Sequence, residues 1–153
     1  MGFDIYGEQP TEEIGEYFRN SVWWWKPLWQ YICQIAANVL TEKDKEMGWF
    51  NDGHLIDKQK AEQIAALLHE EIKSDRAEMY VVKYMDTLKA LPKETCDICK
   101  GTGTRNDQYV QGTCNACHGE GKRTAWASHY PINLENIADF AEFCAASGGF
   151  TIC

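Results

Sequence analysis

Two stretches of this chain repeat one pattern of ligand-bearing residues. They are Cys96-Asp97-Ile98-Cys99-Lys100-Gly101-Thr102-Gly103 and Cys114-Asn115-Ala116-Cys117-His118-Gly119-Glu120-Gly121, each a C-x-x-C-x-G-x-G. A C-x-x-C pair places two thiolates on one tetrahedral ion, and a second pair completes a four-sulfur shell that leaves no position for substrate. The chemistry expected is therefore structural, with one Zn2+ held by Cys96, Cys99, Cys114 and Cys117. The glycines fit this reading. A knuckle turns sharply after its second cysteine, needs positive φ, and has no room for side chains beside the sulfurs. The span from Cys99 to Cys114 is too polar to bury a core, so metal–ligand free energy must fold it.

On these residues, from about 95 to 122, the chain resembles the cysteine-rich zinc domain of the DnaJ co-chaperones. In that family four repeats hold two zinc ions, so two repeats imply one. The resemblance implies metal binding and a β-hairpin-like finger. The His-Pro-Asp signature of the J-domain does not occur anywhere in the chain, so the resemblance does not extend to co-chaperone activity. The rest of the chain opens with Met1-Gly2-Phe3-Asp4 and carries Tyr17-Phe18-Arg19-Asn20 before a Trp-rich run. There it resembles small bacterial and phage proteins, which implies no function.

Other chemistries fit the motifs less well. Cys114-x-x-Cys117-His118 matches a c-type haem attachment signature, but the twin motif has Lys100 in place of the histidine. A C-x-x-C can also be a redox dithiol, and thiol–disulfide chemistry attributed to the DnaJ module keeps that alternative open. No thioredoxin-like strand–helix unit accompanies the pairs, and zinc quenches thiolate nucleophilicity. Asn51-Asp52-Gly53-His54 fails as a calcium loop, because Gly48, Phe50 and Gln59 fall where oxygen ligands belong. His69-Glu70-Glu71 lacks the second histidine of a zincin helix. No phosphate loop, nucleophile elbow or Ser/His/Asp set appears, and no catalytic residue or enzyme activity is expected.

Two regions can meet a partner. The segment around Arg19, Trp23, Trp24 and Trp25 is aromatic-dense, and three consecutive tryptophans cannot all face inward from one element. Trp24 and Trp29 are the core candidates there, and exposed tryptophan is a preferred anchor for partner proteins. In the finger, Lys100 and Arg105 offer cations. The formal net charge of −8 argues against nucleic-acid binding, although a contact through Lys100, Arg105, Lys122 and Arg123 stays open as a third reading.

Those sites need a scaffold. A chain of 153 residues with 44% hydrophobic and 25% charged content builds one core with the finger as an excursion from it. Phe3 to Tyr6 reads as an edge strand. Helices are expected over 27 to 40, beginning at Pro27, and over 58 to 73, capped by Asp57. Two more are expected, one capped by Ser74 or Asp75, with its apolar stripe running from Ala77 to Leu88 and stopped by Pro92, and one from Leu134, capped by Asn133 and closed by Gly148-Gly149. Thr41 to Gly48 reads as the charged end of the first helix, and Asn51 to Ile56 as a turn. Tyr109 and Val110 read as hairpin strands about a turn near Asn106-Asp107, and Phe150 to Ile152 as a last strand. The expected fold is mostly α (α+β): a four-helix globular body with minor short strands and an inserted four-cysteine zinc-knuckle β-hairpin finger. Its parts are 1–94, 95–125 and 126–153, with the helices before and after the finger packed together.

Seven cysteines are present; the metal motif uses four and leaves Cys33, Cys144 and Cys153. With no basic start or apolar run in Gly2 to Pro10 and no membrane-length apolar segment, a reducing cytoplasm is the expected compartment. The function expected is a small zinc-stabilised module, of adaptor, chaperone-like or inhibitor type, whose partner is another protein rather than a nucleic acid or a membrane.

Overall fold

A computed structural model describes residues 1–153. The protein is α+β and divides into two compact units: Met1–Met85 with Tyr130–Cys153, and Asp86–His129.

The first unit is organised around a four-stranded antiparallel sheet. Its strands are β1 (Gly2–Gly7), β2 (Tyr17–Ser21), β3 (His54–Ile56) and β8 (Phe150–Ile152), in the order β2-β1-β8-β3. Alternation along β1 buries Phe3 and Ile5, and along β8 it buries Phe150 and Ile152. Phe3 to Tyr6 is therefore not an edge strand. The segment before the tryptophans supplies β2, which covers that side with Asn20 opposite Phe3 and Phe18 opposite Ile5.

Helix α1 runs Val22–Ile35 and not from 27 to 40. The reason is the pair Trp25 and Trp29, four residues apart on one helical face and both fully buried, with rings stacked at 5.5 Å. Burying both indoles requires helix on either side of Pro27. The proline costs one intrahelical donor in the interior of the helix instead of starting it. Each indole finds an acceptor, Trp25 Nε1 on the Gly48 carbonyl at 2.8 Å and Trp29 Nε1 on the Lys45 carbonyl at 3.1 Å. A Cβ on Gly48 would lie 2.0 Å from the Trp29 ring, so only glycine lets the chain pass there.

The residues expected to end that helix form one of their own, α2 (Glu42–Met47), which gives five helices in place of four. Its start is a reciprocal capping box. The Asp44 amide donates to Thr41 Oγ1 at 3.1 Å and the Thr41 amide to Asp44 Oδ2 at 2.9 Å. After the turn, where Gly53 has φ 81°, the chain does not stay irregular but enters β3.

Helices α3 (Lys58–Lys73), α4 (Arg76–Lys89) and α5 (Leu134–Ser147) complete the set. Asp57 caps α3 through the Lys60 amide at 2.9 Å, and Asn133 caps α5 through the Asn136 amide at 2.8 Å. The stripe Ile137, Phe140, Ala141 and Cys144 of α5 is buried against α3 and the sheet. The helix preceding the cysteine motifs, α4, is not its main neighbour; α3 is. The physical reason is that α3 offers a continuous buried stripe, Ala61, Ile64, Ala65 and Leu68, whereas α4 buries fully only Ala77. Within this unit α4 instead sets the Tyr80 ring tilted against that of Tyr31 at 4.4 Å and donates from Tyr84 to the Tyr130 carbonyl at 2.8 Å. No helix is long and apolar enough to cross a membrane.

Candidate metal centre

The Asp86–His129 unit has almost no apolar core. Its buried side chains are the four cysteines and Ala125, with Ala116 packed partly against the sulfurs. Order comes instead from two short antiparallel pairs. Strand β4 (Glu94–Thr95) pairs with β7 (Lys122–Arg123), and β5 (Thr104–Asn106) pairs with β6 (Gln111–Thr113). Each pair joins the strand entering one knuckle to the strand leaving the other.

The sequence repeat is a repeat of geometry. In the first knuckle the Gly101 amide donates to the Cys96 carbonyl at 3.2 Å and the Thr102 amide to the Cys99 carbonyl at 3.1 Å. In the second, Gly119 donates to Cys114 at 3.2 Å and Glu120 to Cys117 at 3.0 Å. The two are tied crosswise, Cys96 N to Gly121 O and Cys114 N to Gly103 O, both at 2.9 Å. Lys100 and His118 occupy the same left-handed turn position, with φ 56° and 54°. A Cβ on Gly103 would meet the Gly119 carbonyl oxygen at 2.4 Å, and one on Gly121 the Gly101 oxygen at 2.4 Å. Side chains at these two positions would force the knuckles apart.

The result is a closed sulfur cage. Cys96, Cys99, Cys114 and Cys117 are buried with all four sulfurs within 4.8 Å of one another, and Cys99 Sγ lies 3.7 Å from Cys117 Sγ. A tetrahedron with metal–thiolate bonds of ~2.3 Å has edges of ~3.8 Å. The cage therefore matches one four-coordinate ion. Two backbone donors already serve the sulfurs, Gly103 N–H to Cys99 at 3.3 Å and Gly121 N–H to Cys117 at 3.2 Å. Burial opposes charge on Cys99, but the Gly103 donor and the neighbouring Cys117 and Cys96 thiols outweigh it and bring its thiol down to about 6. For Cys117 burial prevails, reinforced by hydrogen bonds with Cys114 and Cys99, and its thiol is raised. No family model matches the chain, and no curated protein or solved structure does. The metal-site assignment thus stands on the donor set and its geometry.

The residues considered for partner contact are scattered. Trp25 is 0% exposed and belongs to the core, which removes it from any surface. It takes the core place expected for Trp24, because its spacing to Trp29 puts both on the buried face of α1. Trp23 and Trp24 are half-buried, Trp23 with its ring 4.9 Å from that of Tyr130. Arg19 is exposed on β2, 3.6 Å from Asp4. In the other unit Lys100 is exposed, while Arg105 is held internally by Asp107 at 2.7 Å and Asn115 at 2.9 Å. Tyr109 and Val110 are not in strands. Asp107 Oδ1 accepts from both their amides, at 2.8 and 3.0 Å, and bends the chain into the turn there. That leaves Tyr109 81% exposed. Trp126, 59% exposed, is a large aromatic surface that reading for clusters passed over, because it stands alone in the sequence.

Proposed function

We propose that the protein is a small zinc-binding, protein-interaction module in which one structural Zn2+ folds a hairpin-like finger. The observation that carries this reading is the closed four-sulfur cage. Every ligand position of a tetrahedral ion is taken by protein, so the ion serves architecture and not substrate. Zinc is the metal of choice for an all-thiolate tetrahedral shell with no redox demand. The C-x-x-C-x-G-x-G resemblance to the DnaJ zinc domain supports the same assignment. A finger held by metal presents its exposed side chains, Ile98, Tyr109 and Trp126, on a frame too small to bury them. That composition suits contact with another protein, in an adaptor, chaperone-like or inhibitor role. Uncombined thiols throughout the chain suit the reducing cytoplasm.

The experiment is elemental analysis of untagged protein together with partner capture by Cys99→Ser. One zinc per chain, and loss of both zinc and partner in the variant, is the expected result. A zinc-free protein with a Cys96–Cys99 or Cys114–Cys117 disulfide would replace this reading with thiol–disulfide chemistry. That second reading predicts activity that disappears on zinc loading.

A further inference from the structure

Strand β2 ends the four-stranded sheet, and the outward side of its backbone has no partner. The ladder to β1 uses even-numbered positions. The Gly7 amide donates to the Glu16 carbonyl at 3.0 Å and the Val22 amide to the Met1 carbonyl at 3.4 Å, with Phe18 and Asn20 in register between them. Bonded and non-bonded pairs alternate in an antiparallel ladder, so the N–H and C=O groups of Tyr17 and Arg19 point away from β1. No other backbone segment meets them. The usual protections of an edge are missing too, since β2 has no proline, bulge or lysine. Its one charge, Arg19, is turned to Asp4 on the neighbouring strand at 3.6 Å.

A cavity of ≈ 230 Å³ opens beside the same strand. Its wall is made by Asn20 of β2, Trp24 in the first turn of α1, the α5 cap Asn133, and Glu135, Asn136 and Asp139 of α5. Glu135 and Asp139 stand one turn apart on one side of the helix. Neither has an ion-pair partner, and no Lys, Arg or His lines the cavity. The α5 dipole answers part of the charge on Glu135, in the first turn; Asp139 lies beyond its reach. One donor in the wall is also unanswered. Asn136 Oδ1 accepts from Asn20 Nδ2 at 3.0 Å, but the buried Nδ2 of Asn136 bonds nothing, the sole such side-chain atom in the chain.

We propose that this edge and cavity together dock an extended segment of a partner protein, added to the sheet as a fifth strand, with an arginine or lysine side chain in the cavity. A strand laid against β2 sits ~4.8 Å beyond it and turns alternate side chains to each face. The residue opposite Asn20 therefore points toward α5, where two unpaired carboxylates and an indole await a cation. A bare metal ion would answer the carboxylates and leave the Asn136 donor without an acceptor, whereas a peptide brings carbonyl oxygens along with its cation. A second copy of this chain is the wrong occupant. The residues of β2 that face α5 are Phe18 and Asn20, so β2 paired with itself would place no cation in the cavity.

The test titrates the full-length, metal-loaded protein with a blocked peptide of alternating threonine and valine that carries one central arginine. Amide chemical shifts and amide exchange are the readouts. The same peptide with glutamate in place of arginine, and calcium chloride, serve as comparisons. The expected result is saturable shifts at residues 17–21 and 133–139, slowed exchange of the Tyr17 and Arg19 amides, and weaker binding of the glutamate peptide. Asp139→Asn should weaken the arginine peptide roughly fivefold, the effect of one charge at ~4 Å in water. Glu135→Lys combined with Asp139→Lys should invert the preference toward the glutamate peptide, an outcome that a misfolded variant does not give. No saturable shift, equal affinity for the two peptides, or unchanged exchange at Tyr17 and Arg19 would overturn the proposal. Calcium binding tighter than the peptide, or self-association of the free protein that already slows those two amides, would overturn it as well. The docking site lies in the unit without the sulfur cage, so it and the zinc reading fail separately. A failed titration with zinc in place removes the docking site and leaves that reading intact. A zinc-free protein that binds the arginine peptide removes the reading and keeps the docking site.

Discussion

The amide of Gly121 donates to the sulfur of Cys117 across 3.2 Å while its α-carbon packs against Gly101. One residue thus supplies a donor to a ligand and leaves space for the opposite knuckle, and Gly103 does the same for Cys99. Gly103→Ala and Gly121→Ala should each retain all four cysteines yet lower metal affinity about 10- to 100-fold, the usual effect of losing a ligand's supporting partner. Competition against a chromophoric chelator measures it. Wild-type affinity in either variant would show that the knuckles separate at no cost.

Metal removal should unfold one unit and spare the other. Asp86–His129 buries four sulfurs and little else, whereas Met1–Met85 with Tyr130–Cys153 has its own aromatic core. Chelator should abolish amide protection in residues 94–123 while the helical circular dichroism stays nearly constant. Because the thiols must lose protons to bind, and Cys117 resists doing so, metal should be released as pH is lowered and retained as it is raised. Full loss of helix on chelation would mean that the body depends on the metal.

Asp44 is a buried carboxylate with three kinds of partner: the Thr41 amide, Lys60 Nζ at 2.7 Å and His54 Nε2 at 2.9 Å. Burial alone would raise its pKa. The hydrogen bonds from Lys60, His54 and Thr41 outweigh that and hold the carboxyl well below the usual range. Its stabilising contribution is therefore complete above about pH 4, the unfolded value, and is lost as pH falls through the folded one. Asp44→Asn should cost about 2 kcal/mol at pH 7 and flatten the acid limb of a stability profile measured by denaturant unfolding. A variant with an unchanged acid limb would place that sensitivity elsewhere.

Thiol counting separates the seven cysteines by environment. Burial pushes Cys144 far up and Cys33 up to about 11, so neither should react quickly at neutral pH. Cys153, partly exposed at the end of the sheet, should be the one fast site in metal-loaded protein. Four more should appear when chelator is added. Rapid labelling of five thiols before chelation would contradict a filled cage.

Local rules were legible where a residue acts within a few positions of itself. The caps Asp57 and Asn133, the stripes of α3 and α5 and the paired knuckles were all readable in this way. The capping box at Thr41 and Asp44 was equally local and announces α2, yet the density of charge from Glu42 to Glu46 masks it. Tyr109 and Val110 read as strand by their side chains. The Asp107 carboxylate, by taking two backbone amides, makes them a turn.

The sequence by itself determined which four cysteines come together, because a C-x-x-C-x-G-x-G knuckle closes its own turn through hydrogen bonds spanning only a few residues. It also determined that helices dominate. Tertiary structure alone decided which aromatic residues are interior, where α1 begins and which strand lies at the sheet edge. Trp25, not Trp24, is buried because the indoles of Trp25 and Trp29 need Gly48 and Lys45 as acceptors. Strand β1 is internal because β2 and β8 arrive from opposite ends of the chain to flank it. Partners that distant leave no periodic mark near the residues they cover, so only the folded chain reveals them.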